Sequence, residues 1–256
     1  MVRMMEVTRQ DIDQGLHELG LSKGDAVEVH SSLSSCGLVV GGPATVVDAI
    51  LDGVGADGTV VMSAYPLSRP LPVTDDDRAR GVTWKVRVLP DGSQEGTGMG
   101  AVAEEFCRRP GIILGNGVHR VAAWGHHAAR YAEQGYQQLV DADGSALLIG
   151  VGIDRCSSLH LADSVPLPPA LRSHFTVPEE VRAAYDADIH VGYHEPPETP
   201  WDKAKEAVDR RGLIRKHRIG QAHCMMFRVR PMLDAIKSIL NRDPFGAFGL
   251  SDLAHG

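Results

Sequence analysis

Residues 157–163 read SSLHLAD and set His160 three positions before Asp163. On a helix that spacing puts imidazole and carboxylate on one face. A carboxylate beside an imidazole orients the ring and raises its basicity, which is what a general base needs. Surface pairs that cap a helix share the same spacing. A second stretch, VHSSLSSCGLVVGGP at 29–43, sets four serines and three glycines between a strand and a helix. Hydroxyls and bare backbone N–H groups at a helix N-terminus suit phosphate or pyrophosphate, although an ordinary Ser/Gly connection has the same composition. The stretch is neither G-x-x-x-x-G-K-[ST] nor G-x-G-x-x-G, which excludes an ATP loop and a dinucleotide fingerprint. His30, at the strand end that opens it, is either a donor toward a ligand or a histidine packed under the loop.

Other chemistry-bearing residues fall short of a pattern. His126 and His127 are adjacent and diverge on any regular element. His190 and His194 would share a helix face, but Gly192 and the nearby prolines oppose a helix there. Cys36, Cys107, Cys156 and Cys224 form no C-x-x-C pair and read as reduced, buried thiols. No metal site is expected.

The elements that must position these residues are legible in outline. Thr8 with Asp11 three residues on is a helix-start signature, and Ile12, Leu16 and Leu19 follow as one stripe that Gly20 stops. Residues 25–30 alternate as a strand. Pro43 opens a helix whose Val46, Val47, Ile50, Leu51 and Val54 share a face. GADG at 55–58 turns into a second strand, 59–64. Strand, glycine loop, helix and strand make the unit of a parallel sheet. Residues 65–93 read as an excursion over the active face, 99–109 as a helix, 128–135 as a short helix, 146–151 as a buried strand and 157–165 as a short helix. The Pro-rich stretch 166–200 reads as largely loop. Helical patterns at 201–211 and 232–240 flank a strand at 222–229. The expected fold is a single α/β domain over 1–256, its central, mostly parallel sheet flanked by helices, with a smaller loop-rich lobe.

Composition narrows the function classes. The 256 residues are 43% hydrophobic and 5% aromatic, with a net charge of −7 and 28 glycines that cluster at strand ends. Such a chain buries a real core and is not mainly disordered. No run of about 18 apolar residues exists to span a membrane. Residues 1–8 lack the apolar run of a signal peptide, so the expected location is cytoplasmic. The acidic balance argues against nucleic acid and leaves a cationic small molecule open.

HSSL at 30–33 with GLVVGGPATVVDAIL, GADGTVVMSAYP at 55–66, TGMGAVAEEFCRRPG at 97–111 and LLIGVGIDRCSSLHLAD at 147–163 together resemble the aminoglycoside 3-N-acetyltransferases. The likeness spans nearly the whole chain, and its nearest kin look like the environment-derived members of that resistance family. It implies the antibiotic acetyltransferase fold, unrelated to that of the GNAT acetyltransferases. It also implies acetyl-CoA as donor, a 2-deoxystreptamine aminoglycoside as acceptor, and direct transfer in a ternary complex by a monomer or homodimer. Carried over by motif, His30, Ser31, Ser32 and Leu33 hold the pantetheine and pyrophosphate. Ser63, Ala64 and Tyr65 line the thioester, and Thr97, Gly98 and Met99 flank the same cofactor. His160 falls at the catalytic histidine, and Asp163 replaces the glutamate usual there. The segment GIILGNGVHRVAAWG at 111–125 departs from the family's arginine–serine and histidine–proline pattern, which leaves acceptor preference open.

The chemistry agrees with the residues read alone. An aminoglycoside ammonium must lose a proton before it attacks a thioester, and His160 can take it. Backbone N–H groups near 63–65 or the His30 side chain are candidates to meet the oxyanion. The run Asp75–Asp76–Asp77 either holds the polycation or is a solvated loop. An acyltransferase of the same fold acting on another amine, and a CoA-binding protein without catalysis, are the alternatives; the His160–Asp163 pair speaks against the second.

Overall fold

A reciprocal cap starts the first helix. The Thr8 hydroxyl accepts from Asp11 N–H at 3.3 Å while Thr8 N–H donates to the Asp11 carboxylate at 2.8 Å. The structure, a computed structural model, describes residues 6–65, 68–88, 98–117 and 119–255. A two-residue strand, β1 (Glu6–Val7), precedes the capped helix α1 (Arg9–Glu18), and β2 (Ala26–Ser31) follows. A 3-10 turn (Leu33–Cys36) and β3 (Leu38–Val39) occupy the Ser/Gly loop. Pro43 lies in the first turn of α2 (Gly42–Val54), which buries Val46, Val47, Ile50 and Val54. β4 (Thr59–Ser63) then pairs parallel with β2, as the strand–helix–strand reading requires.

The next residues form β5 (Ser68–Leu71) and β6 (Val82–Val88) of a separate sheet, with α3 (Asp75–Ala79) between them. α4 (Ala101–Cys107), β7 (Ile113–Leu114), β8 (Val121–Gly125), α5 (Ala128–Gln134), α6 (Tyr136–Asp141) and β9 (Ser145–Ile149) return to the main body. A 3-10 helix spans Ser157–Ser164. The stretch 166–200, expected to be largely loop, holds α7 (Pro169–Phe175), α8 (Glu179–Arg182) and β10 (Ile189–Tyr193). Its prolines start helices rather than forbid them: Pro169 and Pro200 sit in first turns, where a missing N–H costs nothing. α9 (Pro200–Asp209), β11 (Ile214–Ile219), β12 (Ala222–Arg228), α10 (Val229–Arg242) and α11 (Pro244–Ala247) follow.

The main sheet has seven strands in the order β11-β12-β9-β2-β4-β8-β7, and β10-β6-β5 form the second. The expected mostly parallel sheet is corrected to a mixed one. Among the described residues of this sheet only β9–β2 and β2–β4 are parallel, and the outer pairings are antiparallel. The connection between β11 and β12 is too short for a crossover, so they can only form a hairpin. Side chains alternate across the sheet. Val27, Val60 and Leu147 enter a core with α1, α2 and α4, whereas Val61, Ala146 and Leu148 enter a second core with α5, α9 and α10. Among the described residues no helix is long and apolar enough to cross a membrane.

Candidate active site

The parallel strands end together, with His30 and Ser31 closing β2, Ser63 closing β4, and Gly150 just past β9. Ligands of α/β sheets meet the chain at such carboxyl ends. A cleft of about 460 Å³ opens there, and His30, Ser31, Ser63, Met99, Ser157 and His160 are among its walls.

His160 stands at the open side. The sequence pattern predicts a helix, and the chain forms its tighter 3-10 variant, in which residues three apart eclipse. That stacks His160 on Asp163, with Nδ1 3.0 Å from the carboxylate. The two side chains are 61% and 60% exposed. The Asp163 hydrogen bond holds the imidazole above its ordinary value against the opposing effect of burial, and the charges of Asp163 and Glu28 add to it. The Trp201 ring lies 5.7 Å from the imidazole, centroid to centroid.

The other wall is buried. Glu28 and His30 are two apart on β2, so they share the face opposite Val27 and Val29. Glu28 is 0% exposed. Its carboxylate meets His30 Nε2, accepts Ser158 N–H at 3.1 Å and accepts the Cys156 thiol at 3.7 Å. Ser157 N–H reaches His30 Nε2 at 3.2 Å. Burial, then the Glu28 charge, pushes the Cys156 thiol well above its usual value. Beside them the Ser63 hydroxyl lies 2.6 Å from that of Tyr136 and 3.0 Å from that of Ser157. Burial likewise pushes the Tyr136 phenol far up. Ligand-type atoms of Glu28, His30 and Cys156 lie within 4.8 Å of one another. Backbone N–H groups already occupy two of them.

The family of aminoglycoside 3-N-acetyltransferases matches residues 29–241, from the strand that carries His30 through most of the last long helix. The chain belongs to this family. It is 27% identical to the SPbeta prophage-derived aminoglycoside N(3')-acetyltransferase-like protein YokD of Bacillus subtilis, over 92% of this chain and 93% of that one. It is 30% identical to aminoglycoside N(3)-acetyltransferase VIII of Streptomyces fradiae, over 73% of this chain and 68% of that one. The crystal structure of YokD superposes with a TM-score of 0.68 at 25% identity, covering 94% of this chain and 96% of that one. That of AAC-IIIb with CoASH gives 0.68 at 21%, covering 93% and 97%.

Not every position carried over from the 3-N-acetyltransferases reaches the cleft. His30, Ser31, Ser63, Gly98, Met99 and His160 line it. Ser32 instead braces the loop: its N–H donates to Ile149 C=O at 2.9 Å and its hydroxyl accepts that of Ser35 at 2.8 Å. Leu33 packs on the apolar core. Ala64 is buried, with both its backbone groups on Arg120. The Tyr65 ring meets His119 edge-on at 5.2 Å. Thr97 lies outside the described residues.

The acidic run is not at the cleft. Asp77 is buried in the second sheet's lobe, where it accepts from Lys85 at 2.7 Å, Tyr185 at 2.5 Å and Thr74 N–H at 2.6 Å. Burial alone would raise its carboxyl, but these donors outweigh burial and hold it well below the usual range. Asp75 and Asp76 pair with Arg78 at 3.1 Å and Arg80 at 3.0 Å. Thr74-x-x-Asp77 is the same capping box that starts α1, so these carboxylates serve a helix start and its neighbours. Sequence reasoning missed Glu28, Tyr136 and Ser157. Glu28 carried a signal, a charge two residues before His30 and therefore on the same face of the strand. Tyr136 carried none.

Proposed function

We propose that the protein transfers the acetyl group of acetyl-CoA to the 3-amino group of 2-deoxystreptamine aminoglycosides, the modification that confers resistance to them. The observation that carries this reading is one cleft with an oriented, carboxylate-backed imidazole at its mouth and a second imidazole on its inner wall. The relatives' shared activity supports it, as do similar folds that bind CoASH, or a gentamicin in the AAC(3)-IVa complex. Acetyl-CoA supplies an activated thioester carbonyl. Met62, Met99 and Ala103 give an apolar wall suited to a pantetheine arm, and Ser31 and Gly98 give polar backbone beside it. Asp163 holds Nδ1 of His160, which leaves Nε2 to take the proton of the acceptor ammonium. The freed amine nitrogen bonds to the carbonyl carbon. His30 donates toward the oxyanion so formed. His160, having released that first proton to solvent, takes the second from the nitrogen made cationic by the new bond. Collapse breaks the C–S bond, and the thiolate takes this second proton and leaves as CoA thiol.

Thiol release from acetyl-CoA against a panel of aminoglycosides and simple amines tests the reading. His160→Ala should lose about 10²–10⁴-fold in turnover while retaining acetyl-CoA affinity. A loss of only a few-fold removes His160 as base. Release with simple amines alone overturns the acceptor class.

A further inference from the structure

The buried Glu28 carboxylate adds only the smallest of the charge effects on His160, yet the fold goes to some length to keep it. Its partners across the sheet are Val61 and Ala146, both fully buried. A carboxylate at such a place is costly unless it is paired and hydrogen-bonded. Here both its oxygens are used, by His30 Nε2 and Ser158 N–H on one and by the Cys156 thiol on the other. The contacts converge on one ring edge. Nε2 of His30 is fully taken by Glu28 and by Ser157 N–H. Only Nδ1 is left to serve the cleft that the ring lines.

The hydrogens follow from the partners. A carboxylate only accepts, so Glu28 takes the hydrogen of Nε2, and the Ser157 N–H at 3.2 Å is the longer contact. A buried carboxylate is held against an opposite charge, which the imidazolium supplies. In that state the second ring hydrogen is on Nδ1, and Nδ1 is a donor. We infer that Glu28 is a positioning residue that fixes the His30 ring, so that Nδ1–H is presented to the thioester oxygen as charge builds there. The inference rests on the proposed acetyl transfer. It makes the cleft two histidine–carboxylate pairs with opposite tasks: an exposed one that removes a proton and a buried one that keeps one.

The test uses Glu28→Leu, Glu28→Gln, His30→Ala and the His30→Ala/Glu28→Leu double variant, each with melting temperature, acetyl-CoA KM and kcat. Loss of a donor to an oxyanion costs about 10²–10³ in kcat, which bounds the effect. Glu28→Leu should lower kcat by about 10–100-fold with KM little changed. Glu28→Gln should recover part of it, because its amide N–H can still donate to Nε2. On the His30→Ala background Glu28→Leu should add no further loss. A folded Glu28→Leu with parental kcat, or the same loss on both backgrounds, overturns the inference. Long-range ¹H–¹⁵N spectra of the ring nitrogens read the same point without turnover: Nδ1 of His30 should be protonated in the parent and not uniformly so in Glu28→Leu. A bare Nδ1 in the parent, or one zinc per chain on metal analysis taking Nε2, overturns it as well. A parent that releases no CoA thiol with any aminoglycoside sinks the acetyl-transfer reading instead, while the spectra still decide the ring.

Discussion

Replacing Asp163 by Asn removes the charge that sets His160 while leaving a side chain of the same shape. The proximity, 3.0 Å, makes the pair real, and its exposure, 61% and 60%, makes it weak. Exposed ion pairs are worth roughly 0.2–1 kcal/mol, so Asp163 raises His160 only modestly, chiefly through its hydrogen bond. The base works deprotonated. Its acidic limb in the profile of kcat/KM for the aminoglycoside against pH therefore marks the titration of His160 in the enzyme that has yet to bind the acceptor. Without the carboxylate the imidazole holds its proton less tightly, and the limb should move to lower pH. The plateau should fall, because a weaker base accepts the ammonium proton less well. Raising the salt concentration should shrink the limb difference between parent and variant, since exposed charges are screened. Measured with one aminoglycoside at saturating acetyl-CoA, a limb that stays put, or moves to higher pH, refutes the coupling of the two side chains.

Asp77→Ala should destabilise the protein by about 1–3 kcal/mol, because Lys85 and Tyr185 lose a buried acceptor, while turnover per folded molecule is unchanged. The folded carboxyl is held below its ordinary value, so its contribution is present above the unfolded carboxylate range and fades on acidification; melting curves of parent and variant should converge at low pH. Ser63→Ala should cost about 1–3 kcal/mol, toward the low end because Ser157 can still serve the buried Tyr136 hydroxyl. A melting temperature equal to the parent's would show that the hydroxyl chain is not part of the cleft's support.

The sequence made the local starts and stops legible, and these carried most of the sheet. Thr8–Asp11 and Pro43 mark α1 and α2 because caps act within one turn of chain. Strand direction is not local. Whether β8 or β12 runs parallel or antiparallel depends on a neighbour far away in the chain, so a sheet read from its one strand–helix–strand unit looked more parallel than it is. Thr74–Asp77 shows the reverse failure, where a local signal was present and its charges drew attention first. The site divides in the same way. His160–Asp163 lies within one helical turn and could be found by spacing, whereas Ser63–Tyr136–Ser157 is assembled from three separate elements by packing.

The two imidazoles differ in what each must do with its proton. A base has to give its proton to the leaving thiolate or to water in every cycle, which suits a ring at the mouth of the cleft with one nitrogen on an exposed carboxylate. A donor to an oxyanion acts by staying as it is: any rotation or change of tautomer during the reaction would remove the hydrogen when charge appears. That demands a rigid support in a dry place. Strand β2 provides one, because residues two apart on a strand share a face and cannot turn relative to each other. Glu28 is therefore found below His30 on the central strand rather than beside it on a loop. A loop carboxylate could bind the ring but could not hold it through a change of charge.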